Sequence, residues 1–120
     1  MATGDGLSSE QRHRIDRAIR EAEQYCRFEI SVFVGALEGN RRDHAERLHG
    51  KLVAPDKSVL ILVDPAAREV ELVTGQQARA ELTDAEAEVV ISEMTAMFAE
   101  LELVDGIVTG VQTLARLATN

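Results

Sequence analysis

Apolar residues recur along the first part of the chain with two different periods. From Ile15 to Cys26 they lie three or four positions apart, which predicts a helix with one buried face. Ser8 or Ser9 can begin this helix, and Gln11, three residues after Ser8, completes a capping box. Residues 28–34 then place apolar side chains at every second position. That period predicts a strand.

The middle of the chain predicts a second helix followed by two more strands. Asn40 can begin the helix and Pro55 ends the segment. Residues 59–63 are an unbroken run of Val, Leu and Ile, as expected of a central strand covered on both faces. After a turn at Asp64, residues 69–74 alternate again and predict a third strand that returns beside the second.

The last third of the chain predicts two helices. Thr83 and Glu86 form a second capping box. A stripe of apolar residues at helical spacing follows from Ala87 to Leu101. We expect Asp105 to begin the last helix, because an acidic side chain is favoured at a helix N-terminus.

These elements predict one α/β domain over residues 8–118, in the order α-β-α-β-β-α-α, after a flexible lead-in of residues 1–7. The first two strands should be parallel and the third antiparallel to the second. One rim of the sheet would then hold residues 35–40 and Asp64. The opposite rim would gather Asp56, Lys57, residues 74–75 and the loop before Asp84.

Charge is distributed unevenly. Of the net charge of −8, residues 1–60 contribute nothing, with ten bases and ten acids, whereas residues 61–120 carry three bases and eleven acids. Nucleic acid would be repelled by the second half, since phosphate binding needs clustered Lys and Arg. A cation or a basic protein surface would be attracted. The same acids would also serve simply to keep a small domain soluble.

Few residues suggest a catalytic or metal-binding role. Nucleotide-binding, nucleophile-elbow and EF-hand motifs are absent from the sequence. The single cysteine, Cys26, fits a buried structural thiol in a reducing compartment. His44 and His49 would lie about 140° apart around one helix and cannot share a metal on it. We expect the histidines to lie at the surface. No run approaches the length of a membrane span.

Four segments together resemble TPM domains. They are residues 58–63, 68–75, 82–87 and 98–111, and the similarity extends over about residues 7–117. The resemblance is to a bacterial subgroup of unknown function. It implies a three-layer α/β/α sandwich with a small mixed sheet. TPM domains are linked to photosystem repair, receptor modulation, acid phosphatase activity and calcium binding. The resemblance implies these roles as expectations for this chain.

The resemblance also directs attention to one rim. The family often has Asp-Asn-Gly before the central strand, where this chain has Asp56-Lys57-Ser58, and the family's Leu-Thr-Asp is retained with Asp84. Two acids from separate segments are the minimum for a weak calcium site. The sequence therefore predicts Asp56 and Asp84 as ligands of low affinity, with Lys57 opposing the cation. Asp64 and residues 38–40, on the other rim, are the alternative.

These observations favour a TPM-like accessory or interaction domain that binds a protein partner, without catalytic residues, without nucleic acid and without membrane insertion by this chain. No cofactor is expected apart from weakly bound calcium. The alternative is a metal-assisted acid phosphatase of the TPM type. The chain itself indicates the cytoplasm. An extracytoplasmic or membrane-associated location would apply if a signal or anchor had been removed.

Overall fold

One mixed sheet forms the centre of the molecule. The computed structural model describes residues 2–4 and 6–118. The sheet has four strands in spatial order β1-β2-β3-β4. The three strands β1, β2 and β3 are parallel, and β4 runs antiparallel to β3. Their bounds are β1 Ala2–Gly4, β2 Glu29–Val34, β3 Ser58–Asp64 and β4 Glu69–Thr74.

Among residues 2–4 and 6–118, four helices cover the two faces of this sheet. They are α1 Ser9–Glu23, α2 Arg41–Gly50, α3 Asp84–Ala99 and α4 Leu103–Ala118. Helices α1, α3 and α4 share the larger apolar core on one face, and α2 packs on the other. The predicted three-layer α/β/α sandwich is therefore confirmed. Within residues 2–4 and 6–118, none of the helices combines the length and apolar character needed to cross a bilayer.

Strand β3 is the buried centre of the fold. All seven of its residues are buried, which confirms the prediction from the unbroken apolar run at residues 59–63. Val59, Ile61 and Val63 face the larger core, whereas Leu60 and Leu62 face α2. Because both faces exclude water, this strand has no polar side to present.

The predicted helix starts at Ser8, Asn40 and Thr83 are confirmed. The Ser8 hydroxyl accepts from the backbone N–H of Gln11, and the Asn40 side chain accepts from that of Asp43. Thr83 accepts from the backbone N–H of Glu86 in the same way. Each cap satisfies one of the N–H groups that the first helical turn leaves without a partner.

The structure differs from the sequence prediction at the start of the chain. Ala2–Gly4 is a short parallel strand beside Val32–Val34, where we expected a lead-in without regular structure. Met1 and Asp5 of that segment lie outside the described residues. An Ala-Thr-Gly segment has neither the alternation nor the length of a recognisable strand, so only pairing with β2 reveals it.

The end of α2 and the start of α4 were also predicted wrongly. Helix α2 ends at Gly50, and Pro55–Lys57 forms a separate 3₁₀ turn. Helix α4 begins at Leu103, so Asp105 lies in its first turn and is not its cap. The chain reverses between α3 and α4 through Leu101, which has φ +64° and is 74% exposed. This left-handed residue ends the apolar stripe before the predicted position, because its side chain is turned out of the core.

Candidate functional site

The rim that holds Asp56 is assembled as the topology predicted. The backbone N–H of Gly75, just after β4, donates to the carbonyl of Ser58 at 2.8 Å, and that of Gln77 donates to the carbonyl of Asp56 at 2.9 Å. The end of β4 therefore lies directly against the turn that precedes β3. Asp56 and Lys57 themselves are exposed.

Asp84 lies at the start of α3. It is the first residue after the cap Thr83, and its side chain is exposed. The capping hydrogen bonds are made by its neighbours Thr83 and Glu86. A carboxylate in this position is stabilised by the helix dipole. This role accounts for the acid without any bound ion.

The arrangement around Asp56 fits calcium poorly. Calcium takes six to eight oxygen ligands, and among residues 2–4 and 6–118 no group of three or more His, Cys, Asp or Glu side chains is arranged to hold a metal. The carbonyl of Asp56 already accepts from Gln77, and the Lys57 ammonium repels a cation. The pair Asp56 and Asp84 stays a prediction of weak binding.

The carboxylate of Asp64, on the opposite rim, is hydrogen-bonded to backbone N–H groups. The residue is 8% exposed. Its carboxylate accepts from the N–H of Leu37 at 3.4 Å and from that of Ala67 at 3.2 Å. Both bonds hold loops that leave the strand ends. The acid that the alternative ion site required is therefore already used to fix the loop before α2 and the turn after β3.

Two histidines of α2 have structural roles that the sequence did not reveal. Nδ1 of His44 accepts from the backbone N–H of Glu38 at 3.0 Å. His49 is 8% exposed, which contradicts the prediction that it lies at the surface. Its Nε2 lies 2.9 Å from the carbonyl of Ser58, and because a carbonyl only accepts, Nε2 carries the proton.

Cys26 is buried, as predicted. Its Sγ donates to the carbonyl of Ala22 at 3.2 Å. Burial raises the pKa of this thiol above its ordinary value, and the negative charges of Glu23 and Glu81 act in the same direction. The raised pKa keeps the sulfur protonated at neutral pH, so it is a poor nucleophile.

A shallow depression between α1 and α4 has a largely apolar lining. Its walls are the methyl groups of Ala18, Ala22 and Ala115 and the ring of Tyr25. Tyr25 lies in the turn after α1 and is 72% exposed. Three polar residues, Glu21, Gln112 and Arg116, also line it. The sequence did not single out this site, because its two walls lie about ninety residues apart in the chain.

A family model covers almost all of this fold. It describes a domain of unknown function, DUF5130, and matches residues 3–115. The chain belongs to the DUF5130 family. Uncharacterized proteins from two strains of Mycobacterium tuberculosis are similar to it, at 27% identity over 101 residues. The match covers 84% of this DUF5130 chain but only 60% of those relatives, so the curated relatives are considerably longer than the matched region.

Solved structures share the fold at low sequence identity. The BA42 protein of the psychrophilic bacterium Bizionia argentinensis superposes with a TM-score of 0.85 at 20% identity, over 95% of this chain and 82% of that one. The N-terminal domain of a P. gingivalis protein has a TM-score of 0.75 at 17% identity, over 97% and 80%. The N-terminal domain of a Corynebacterium glutamicum protein has 0.74 at 15%, over 96% and 77%. At these identities the similarity shows the fold of the DUF5130 domain alone.

Proposed function

We propose that this DUF5130 domain is a TPM-like interaction module that binds a protein partner through the depression between α1 and α4. The observation that carries the proposal is Tyr25. An aromatic ring that is 72% exposed at the edge of an apolar depression resembles the aromatic anchors of binding hot spots.

The size of the depression favours a protein partner over a small ligand. Its volume is about 220 Å³, below the ~300–1,000 Å³ of ordinary small-molecule pockets. Alanine side chains at Ala18, Ala22 and Ala115 leave room for one inserted aliphatic side chain. The Tyr25 ring would cover that side chain from the rim, as aromatic anchors do at the centres of interfaces.

The acidic charge of the second half of the chain further defines the kind of partner that we propose. Between Arg79 and Arg116 the chain contains eight acids and no Lys, Arg or His, and these residues form α3 and most of α4. Their field would attract a basic surface and accelerate its association. We therefore propose a partner segment that carries an apolar anchor with basic residues on its flanks.

The comparisons are compatible with a module of this kind. Two of the similar structures are N-terminal domains of their proteins, and the curated relatives extend beyond the matched region. A domain that recurs as part of longer chains is typical of an accessory unit.

A photo-crosslinking amino acid at position 25 tests the proposal in the producing organism. We expect one protein to be crosslinked there and to bind the purified domain. The same amino acid at position 53 is the control, because Val53 is fully exposed and does not line the depression between α1 and α4. Tyr25→Ala should weaken binding of the identified partner by at least roughly tenfold. Equal affinity for Tyr25→Ala and the wild type would contradict the proposal.

The alternative function, a metal-assisted phosphatase, predicts a different experimental result. A metal-assisted phosphatase would hydrolyse a generic phosphate ester, would lose that activity on chelation, and would lose it in Asp84→Asn. We expect no such turnover, because Asp56 and Asp84 are exposed and have no third acid beside them in the part of the chain that the structure describes. Chelator-sensitive turnover abolished by Asp84→Asn would establish the phosphatase instead.

A further inference from the structure

Strand β4 forms one outer edge of the sheet, and an unpaired edge is a template for pairing with another strand. The register fixes which of its backbone groups point outward. Gly75 donates to the carbonyl of the residue opposite, Ser58. Hydrogen-bonded and non-hydrogen-bonded pairs alternate in an antiparallel ladder. The backbone groups of Val70, Leu72 and Thr74 therefore point away from β3, towards the outside of the sheet.

Two arginines occupy this edge. A guanidinium nitrogen of Arg42, from the first turn of α2, donates to the carbonyl of Leu72 at 2.9 Å. Arg79, from the turn after β4, contacts the carbonyl of Thr74 at 3.4 Å and its hydroxyl at 3.3 Å. Two of the three outward carbonyls of β4 are thus already bound to side chains, and a second strand would have to displace both arginines.

The position of Arg42 is itself fixed by acids. Its guanidinium lies 3.6 Å from Glu71 and 3.3 Å from Glu46. The neighbouring Arg41 pairs with Glu69, also on β4. These contacts hold the start of α2 along the edge strand. Single exposed ion pairs are worth little, but several that share one arginine restrict where its side chain lies.

On the side of the sheet opposite to β4, a side chain also binds an outward backbone group, but here the side chain is an acid and the backbone group is an N–H. Among the described residues, strand β1 pairs with Val32–Val34, beside the second half of β2. The N–H of Ile30 donates to the carboxylate of Glu23 at 2.8 Å. An acid caps an outward N–H on β2, and arginines cap outward carbonyls on β4.

We propose that Arg42 and Arg79 keep the β4 edge closed against strand pairing with a second copy of this chain. The edge is suited to such pairing once it is open. Two β4 strands that meet antiparallel about Leu72 would bring all three outward residues of each copy into register, with Glu71 of one copy opposite Val73 of the other. No like charges would lie directly opposite each other along the new ladder, and the two arginines are the side chains that the structure places on its outward carbonyls.

The test is the self-association of Arg42→Ala/Arg79→Ala compared with Arg17→Ala/Arg47→Ala. The control removes the same charge from two other exposed arginines, one on α1 and one on α2, and leaves the hydrogen bonds of Arg42 and Arg79 to β4 in place. Sedimentation equilibrium should show that the edge variant associates at least roughly tenfold more tightly than the control. Amide exchange should slow at Val70, Leu72 and Thr74 in the associated form, which identifies β4 as the contact.

Two results would overturn the proposal. One is a folded edge variant that self-associates no more than the control. The other is association that leaves exchange at those three amides unchanged, because the contact would then lie elsewhere. If the double variant does not fold, Arg42→Ala and Arg79→Ala are compared singly with Arg47→Ala by the same two measurements, and the same two results decide.

Discussion

Gly75→Ala should be among the most damaging single-methyl changes in this domain. Gly75 is buried where the end of β4 meets the turn before β3. A Cβ on Gly75 would lie 2.0 Å from the carbonyl oxygen of Pro55 and 2.5 Å from that of Asp56, whereas ordinary contacts begin at 3.4 Å. Both obstacles are backbone atoms, so no side chain can rotate away. The two segments must separate by more than an ångström.

The magnitude follows from what that separation breaks. Overpacking in a well-ordered interior costs ~1–3 kcal/mol. The bonds from Gly75 to Ser58 and from Gln77 to Asp56 would also lengthen, at ~0.5–1.5 kcal/mol each. We therefore expect a loss of about 3 kcal/mol in the free energy of unfolding, from a total of ~5–15 kcal/mol. The melting temperature should fall by ~10 °C.

Denaturant unfolding measures this loss, and Gly50→Ala is the matched control. Gly50 is the last residue of α2, and a Cβ there meets nothing within 4 Å. The same added methyl should stabilise the protein by ~0.5–1 kcal/mol, because alanine loses less backbone entropy in a helix. A loss below 1 kcal/mol for Gly75→Ala would refute the close approach of β4 to the turn at Asp56.

Three further changes have defined outcomes. Ile61→Ala should cost ~2–5 kcal/mol in denaturant unfolding, because Ile61 is fully buried at the centre of β3; a loss below 1 kcal/mol would mean that the strand is peripheral. Since burial raises the pKa of the Cys26 thiol, its contribution to stability is complete below the ordinary thiol pKa and is lost as pH rises above it. Cys26→Ser should remove that part of the alkaline decline, as measured by unfolding at several pH values. In a calcium titration followed by amide NMR, shifts at Asp56 and Asp84 should appear only at millimolar calcium; shifts around Asp64 instead would place the ion on the opposite rim.

Sequence patterns were sufficient where local physics decides the structure. The caps at Ser8 and Thr83 need only the residues three positions later. The burial of residues 59–63 in β3 follows from an apolar run with no polar face. The meeting of Gly75 with the Asp56 turn also followed, because an antiparallel return fixes which strand ends share a rim.

Features decided by distant partners were not predictable in this way. The spacing of Glu10 and Arg14, four residues apart, favours a pair within α1, yet Arg14 lies 2.7 Å from Asp105 on α4. His49 is on a helix with many charges, and its burial depends on the carbonyl of Ser58 in β3. In both cases the sequence offers a local partner or a solvated face, and tertiary packing brings a different group within hydrogen-bonding distance.

The same distinction between local patterns and tertiary packing explains why the sequence and the structure draw attention to different candidate sites. Carboxylates such as Asp56 and Asp84 stand out in a sequence because their side chains are ionised, but in the fold one borders a turn and the other begins a helix. Tyr25 does not stand out, because one aromatic residue near a helix end is unremarkable until α4 places Ala115 beside it. Charge draws attention to single residues, whereas a protein-binding surface is a property of two elements packed together. For this domain we therefore propose that the surface between α1 and α4 be tested for function before the acids at the sheet rims.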